Sequence, residues 1–167
     1  IVLGTGPGNL YDQKKFDTPY IRDFLLDRRT VGDVSETAAP WSKLAEVHRR
    51  AKDAAKRAFA EIGRTGFVMC HMSHSYHAGA CLYFTFAFVL EEGRDELEQY
   101  DAVKSAIQQE FMDAGATLSH HHGVGTEHRR WMEEDLSPEG VALMAGLFAT
   151  ADPGNRLNPE KVLRARP

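Results

Sequence analysis

The sequence predicts an α+β fold, a ferredoxin-like antiparallel sheet with helices on one face. Three observations carry that expectation. Leu82, Phe84, Phe86, Phe88 and Leu90 alternate with Tyr83, Thr85, Ala87 and Val89, which is the period of a half-buried strand. Leu44, Val47, Ala51, Ala55, Ala58 and Ile62 recur at helical spacing, opposite Arg49, Arg50, Lys52, Asp53, Lys56 and Arg57. That pattern marks an amphipathic helix over 41–62, ended by Gly63. From residue 30 to 118 the elements then read β-α-β-β-α-β, the split motif of that fold.

Taken in order, residues 1–17 are glycine-rich and read as an irregular linker. Gly4, Gly6 and Gly8 lack the G-x-G-x-x-G spacing of a dinucleotide loop, and Pro7 interrupts them. Thr18 as N-cap and Pro19 at the first helical position start a short helix over 18–27. Strands are expected over 30–38, 66–74 and 80–91. A second helix over about 95–114 turns Leu97, Tyr100, Val103, Ile107 and Phe111 inward and stops at Gly115. Ala116-Thr117-Leu118 completes the sheet as a short fourth strand. Helices over 126–135 and 138–151 follow, the latter opened by Ser137-Pro138 and ended at Asp152-Pro153-Gly154-Asn155. Three regions result: 1–29, a linker with a short helix; 30–125, the ferredoxin-like domain; and 126–167, a C-terminal helical segment.

The 167 residues are 43% hydrophobic and 26% charged, enough for one domain with a real core. A net charge of −4 leaves no basic footprint for nucleic acid. No run of 18 apolar residues exists to make a transmembrane helix. Cys70 and Cys81 form no disulfide framework, and a cytoplasmic location is expected. The chain opens on Ile1-Val2-Leu3, which reads as a piece of something longer.

One stretch does not look like ordinary scaffold. Ser119-His120-His121-His122-Gly123-Val124-Gly125 runs three imidazoles into a Gly-X-Gly turn. Imidazole titrates near neutral pH, and glycine lets backbone approach a ligand. Successive side chains on an extended segment alternate, so the three cannot all ligate one ion, and no metal site is expected there. His71, His74 and His77 lie on the strand entering a turn. His71 and His77 then share a face that His74 does not, and ordinary exposed histidines are the favoured reading. Tyr83 points away from the phenylalanine row, where its phenol can donate or accept a proton. Arg22 offers a rigid fork for a phosphate or carboxylate, although from spacing alone an ion pair with Asp23 is favoured.

Five segments together resemble a known family. They are PYIRD (19–23), SETAAPW (35–41), SHSYHAGACLYF (73–84), GATLSHHHGVG (115–125) and DPGNRLNPEKVL (152–163). They resemble, in the same order, the FAD-dependent alkyldihydroxyacetonephosphate synthases of the FAD-linked oxidase (vanillyl-alcohol oxidase) superfamily. The resemblance implies that 30–125 is a substrate-binding cap and that 126–167 packs back on an N-terminal FAD-binding domain of the same polypeptide. It implies FAD as cofactor, a catalytic acid/base at Tyr83, and a flavin and substrate wall of His120, His121 and His122. It further implies flavin contacts at His121, His122 and Gly123, and a substrate contact at Arg22. The implied reaction exchanges the acyl group of acyl-dihydroxyacetone phosphate for an alkyl group through a flavin N5 adduct, with no net redox change. A lipid-linked small-molecule substrate, a homodimer and peripheral membrane attachment are further expectations. Without its flavin domain the chain is expected to be inactive. Two alternatives stay open: a FAD-linked oxidoreductase of a 2-hydroxy acid, sometimes with a divalent metal held by cap histidines, and a non-catalytic ligand- or metal-binding domain.

Overall fold

The central strand carries the alternating phenylalanines, and everything else is arranged by which of its faces is covered. The structure, a computed structural model, describes residues 4–163. Its elements are α1 (Gly6–Lys14), α2 (Thr18–Leu26), β1 (Thr30–Pro40), α3 (Leu44–Glu61), β2 (Gly66–Ser75), β3 (Gly79–Val89), α4 (Glu96–Asp113), α5 (Gly125–His128), a 3₁₀ turn (Arg129–Trp131) and α6 (Met132–Ala151). The sheet has the order β1-β3-β2 with both pairs antiparallel.

Phe84, Phe86 and Phe88 are buried under α3 and α4, packed with Val47, Ala51, Ala55, Ala58, Val103, Ile107 and Phe111. The three longer expected strands and the two expected amphipathic helices are therefore present. The other face of the sheet is open. It presents Phe67, Met69 and His71 from β2, which register with Ala87, Thr85 and Tyr83 of β3. Glu36 of β1 registers with Tyr83 from the other side. Phe67 and Met69 remain about half exposed. α2 rests on β1 through Gly32, where an added methyl would stand 2.9 Å from Leu25 Cδ1. Gly32 lies on the open-face side, four residues from Glu36 and so about 13 Å along the strand.

Five local expectations need correction. Residues 6–14 form a helix, not an irregular linker; Pro7 sits in its first turn, where a missing N–H costs nothing. That helix has no buried residue, so apolar periodicity had nothing to reveal. Asp17, not Thr18, takes the N-cap position of α2. Leu97 is 77% exposed while Gln99 is buried and hydrogen-bonds Glu91 through both backbone groups. Gln99 thus takes the inward position of the first turn of α4, which rotates Leu97 outward. Residues 116–118 form no strand. Thr117 donates its N–H to Ala38 O, but its hydroxyl takes the Ala38 N–H that a ladder would have used. The sheet accordingly has three strands. Finally, the helix expected over 126–135 is divided among α5, the 3₁₀ turn and the start of α6, and α6 continues into the helix expected over 138–151 across a break at Ser137 (φ 69°, ψ 160°), whose Oγ accepts the Gly140 N–H as an N-cap should.

Candidate active site

The segment carrying the three histidines is fixed at both ends before it reaches the open face. Gly115, at φ 66°, ends α4 in a conformation that disfavours other residues. Leu118 then plugs a second apolar cluster with Trp131 and Met132. Its N–H donates to Asp135, and its carbonyl accepts from the Gln108 amide. Gly123, at φ 82°, turns the chain away again.

Between these anchors the chain wraps around one buried carboxylate. Glu36, 1% exposed, places Oε1 2.8 Å from Ser119 Oγ and 2.7, 2.8 and 2.9 Å from the backbone nitrogens of His120, His121 and His122. Burial alone would raise the pKa of this carboxyl. The N–H groups of His122 and His121, the Ser119 hydroxyl and the His120 N–H outweigh it and hold the value at about 2. Because the folded value is depressed, the stabilisation is present above the ordinary carboxylate range and is lost as pH falls towards about 2.

The backbone so held presents a row of aromatic rings. His71 lies 4.8 Å from Tyr83 between ring centroids, and the Tyr83 ring meets His122 edge-on at 5.2 Å. His122 and His121 are 4.6 Å apart, and His121 and His120 5.1 Å. His120 Nε2 lies 2.9 Å from the Tyr76 hydroxyl, and His120 Nδ1 2.9 Å from His121 Nδ1. His74 approaches both His120 and His121, at 5.3 and 5.2 Å. Tyr83, His120, His121 and His122 are thus brought together as a continuous wall.

Burial and the charges of Asp33 and Glu36 raise the Tyr83 pKa, so the phenol is protonated at neutral pH. Burial lowers the His122 pKa, with the Glu36 charge opposing, so its imidazole is neutral. Neighbouring groups pushed apart in this way can serve as acid and base.

His74 joins the wall because β2 is irregular. From Met72 to Ser75 the strand advances three residues while its partner retreats two, from Leu82 to Ala80. One extra residue is a bulge, and it breaks the alternation that would have turned His74 to the other face. His77 lies in the turn, where its carbonyl accepts from Trp41 Nε1. Arg22 is not drawn into the wall: it pairs with Asp23 at 3.4 Å on an exposed helix. It does lie three residues before Leu25, on the same side of α2.

Sequence reasoning missed Glu36, Tyr76 and Cys81. Cys81 is buried and its thiol lies 3.5 Å from Glu36 Oε2. The available signal was a carboxylate placed mid-strand between Ser35 and Thr37. Potential ligand atoms of His74, Cys81, His120 and His121 lie within 4.8 Å of one another, as do those of Glu36, His121 and His122. In the first group His120 already uses Nε2 towards the Tyr76 hydroxyl and Nδ1 towards His121, and burial raises the Cys81 thiol pKa.

Comparison with known proteins agrees with the geometry. Residues 5–162 match the family described as FAD linked oxidases, C-terminal domain. The chain is 37% identical over 161 residues to the alkyldihydroxyacetonephosphate synthase of Dictyostelium discoideum, covering 96% of this chain and 26% of that one. The synthase of Trypanosoma brucei brucei is 35% identical, covering 99% and 27%. A solved alkyldihydroxyacetonephosphate synthase structure superposes with a TM-score of 0.64 at 32% identity, covering 92% of this chain and 24% of that one. The chain therefore spans about a quarter of the length of these relatives. An antiparallel sheet with one covered and one open face, a histidine wall on the open face and a match over nearly every described residue place this chain in the C-terminal domain family of the FAD-linked oxidases.

Proposed function

We propose that this chain is the substrate side of a FAD-dependent enzyme that exchanges the acyl group of an acyl-dihydroxyacetone phosphate for an alkyl group. The observation that carries the reading is the wall of Tyr83, His122, His121 and His120 on an otherwise uncovered sheet face. The activity named for the relatives supports it. The face suits a flavin: half-exposed Phe67 and Met69 offer an apolar plane, beside the hydrogen-bonding edges of Tyr83 and His122. His121, His122 and Gly123 would contact the cofactor, Gly123 by close backbone approach. Bound there, the flavin supplies an electron sink for the reacting carbon.

In this reading the protein groups manage protons. Neutral His122 accepts the proton leaving C1 of the substrate. Protonated Tyr83 donates to the departing acyl group, which leaves as a fatty acid. The incoming alcohol adds at C1 and gives up its proton to the same wall; one of the two protons the wall has taken returns to C1 and the other restores the Tyr83 hydroxyl, so atoms and electrons balance without an external oxidant. Arg22 clamps the substrate phosphate from α2 after leaving Asp23. An N-terminal flavin domain of the same polypeptide covers the open face. The enzyme works in the cytoplasm as a homodimer, with peripheral attachment to a membrane. No helix among the described residues is long and apolar enough to cross a membrane.

The test uses the full-length protein, an acyl-dihydroxyacetone phosphate and a long-chain alcohol. Fatty acid and alkyl product should appear in equal amounts while the flavin spectrum stays oxidised. Bleaching of the flavin by a 2-hydroxy acid, without alkyl product, would make the protein an oxidoreductase. A protein that holds no flavin would be a binding domain only.

A further inference from the structure

The triple histidine is held by a group far away in sequence, and that group touches side chains as well as backbone. Oε1 of Glu36 takes the Ser119 hydroxyl and the three histidine N–H groups. Oε2 accepts the Cys81 thiol at 3.5 Å and faces the imidazoles. It lies 3.3 Å from His121 Nδ1 and 3.7 Å from His120 Nδ1, while the two Nδ1 atoms are 2.9 Å apart.

With both rings taken as neutral, these contacts favour one set of protons. An ionised carboxylate only accepts, so the ring nitrogen that faces Oε2 at 3.3 Å, Nδ1 of His121, is favoured as the one that carries a proton. That N–H also faces His120 Nδ1, which must then be the bare nitrogen of its ring. The His120 proton therefore sits on Nε2, from which it donates to the Tyr76 hydroxyl. The reverse choice, with His120 Nδ1 donating to His121 Nδ1, would set a bare nitrogen against a buried carboxylate oxygen at 3.3 Å. Two acceptors in contact with no proton between them are costly when one is a buried charge. In the neutral ring with Nδ1 protonated, Nε2 of His121 is bare, on a side chain 43% exposed and beside His122.

We propose that Glu36 is the positioning residue of the wall, folding the loop with one oxygen and with the other fixing the tautomer that leaves His121 Nε2 free to accept a proton. The inference rests on the reading that the wall faces substrate, and it assigns His121 Nε2 as the acceptor for the incoming alcohol's proton. Glu36 touches no substrate itself; it acts through His121, as the carboxylate of a catalytic triad acts through its histidine.

The experiment compares full-length wild-type protein with Glu36→Gln and Glu36→Asp, labelled with ¹⁵N-histidine. The His121 signals are identified by their loss in His121→Asn. Long-range ¹⁵N–¹H spectra report which ring nitrogen carries the proton. Wild type and Glu36→Asp should show His121 protonated on Nδ1. Glu36→Gln should lose that preference and about 10²–10⁴-fold in turnover, with its flavin spectrum retained. Glu36→Asp should recover much of the rate. An unchanged His121 tautomer in Glu36→Gln would overturn the proposal. So would loss of the fold in both variants, which would make Glu36 structural only. A wild-type enzyme with the predicted tautomer that instead oxidises a 2-hydroxy acid would support the assignment of Glu36 while overturning the proposed reaction.

Discussion

Tyr83→Phe in the full-length enzyme should keep its flavin and its melting temperature and lose about 10²–10⁴-fold in turnover, the usual contribution of a positioned acid or base. The substitution keeps the ring, and hence the contacts with His71 at 4.8 Å and His122 at 5.2 Å. Only the hydroxyl goes, from a strand face whose partners are polar rings and not the apolar core. The raised phenol pKa has burial as its main cause, followed by the charges of Asp33 and Glu36. The lost group is therefore a proton donor across the neutral range. Turnover, flavin absorbance and melting temperature should be measured on the same samples. Near-normal turnover would remove Tyr83 from the chemistry, and loss of flavin or a large drop in melting temperature would make it structural.

Phe84→Ala should have the opposite signature: a cost of about 3–5 kcal/mol in stability, expected when a large ring leaves a closed core. Phe84 is fully buried, with Phe111 at 5.5 Å between centroids and His48 at 6.2 Å. It joins the sheet to both helices above it, so the surroundings cannot collapse into the gap without moving α3 or α4. It also neighbours Tyr83 on the opposite face of β3. Denaturant unfolding should show the loss, and turnover below the new transition should survive better than in Tyr83→Phe. A cost below about 1 kcal/mol would mean that the phenylalanine row is not the core the fold depends on.

The scaffold was legible because its signals are periodic. The alternation from Leu82 to Leu90 and the helical spacing from Leu44 to Ile62 each report a face turned to the core, and burial follows both patterns. What stayed hidden has no period. An exposed helix such as α1 buries nothing and so leaves no stripe. The segment 116–118 has strand-like residues, but one hydroxyl, that of Thr117, takes the donor a fourth strand would need.

The site divides the same way. Three adjacent histidines announce themselves, and Tyr83 follows from the faces of its strand. Glu36 is 84 to 86 positions away from the N–H groups it binds, and nothing local to it predicts that meeting. His74 was turned the wrong way by a single extra residue in β2, which strict alternation cannot anticipate. Arg22 stands apart on α2, paired with Asp23, where no spacing argument could relate it to the wall.

The central claim is that this wall handles protons at a carbon held between it and a flavin. A crystal structure of the full-length enzyme with FAD and an unreactive ether analogue of the substrate tests it most directly. The account predicts the Tyr83 hydroxyl and the nearer ring nitrogen of His122 about 3–3.5 Å from the reacting carbon or its leaving oxygen, with the flavin ring on the far side of the substrate. A flavin and analogue bound elsewhere, with the histidine wall facing bulk water or sealed beneath another element, would contradict it.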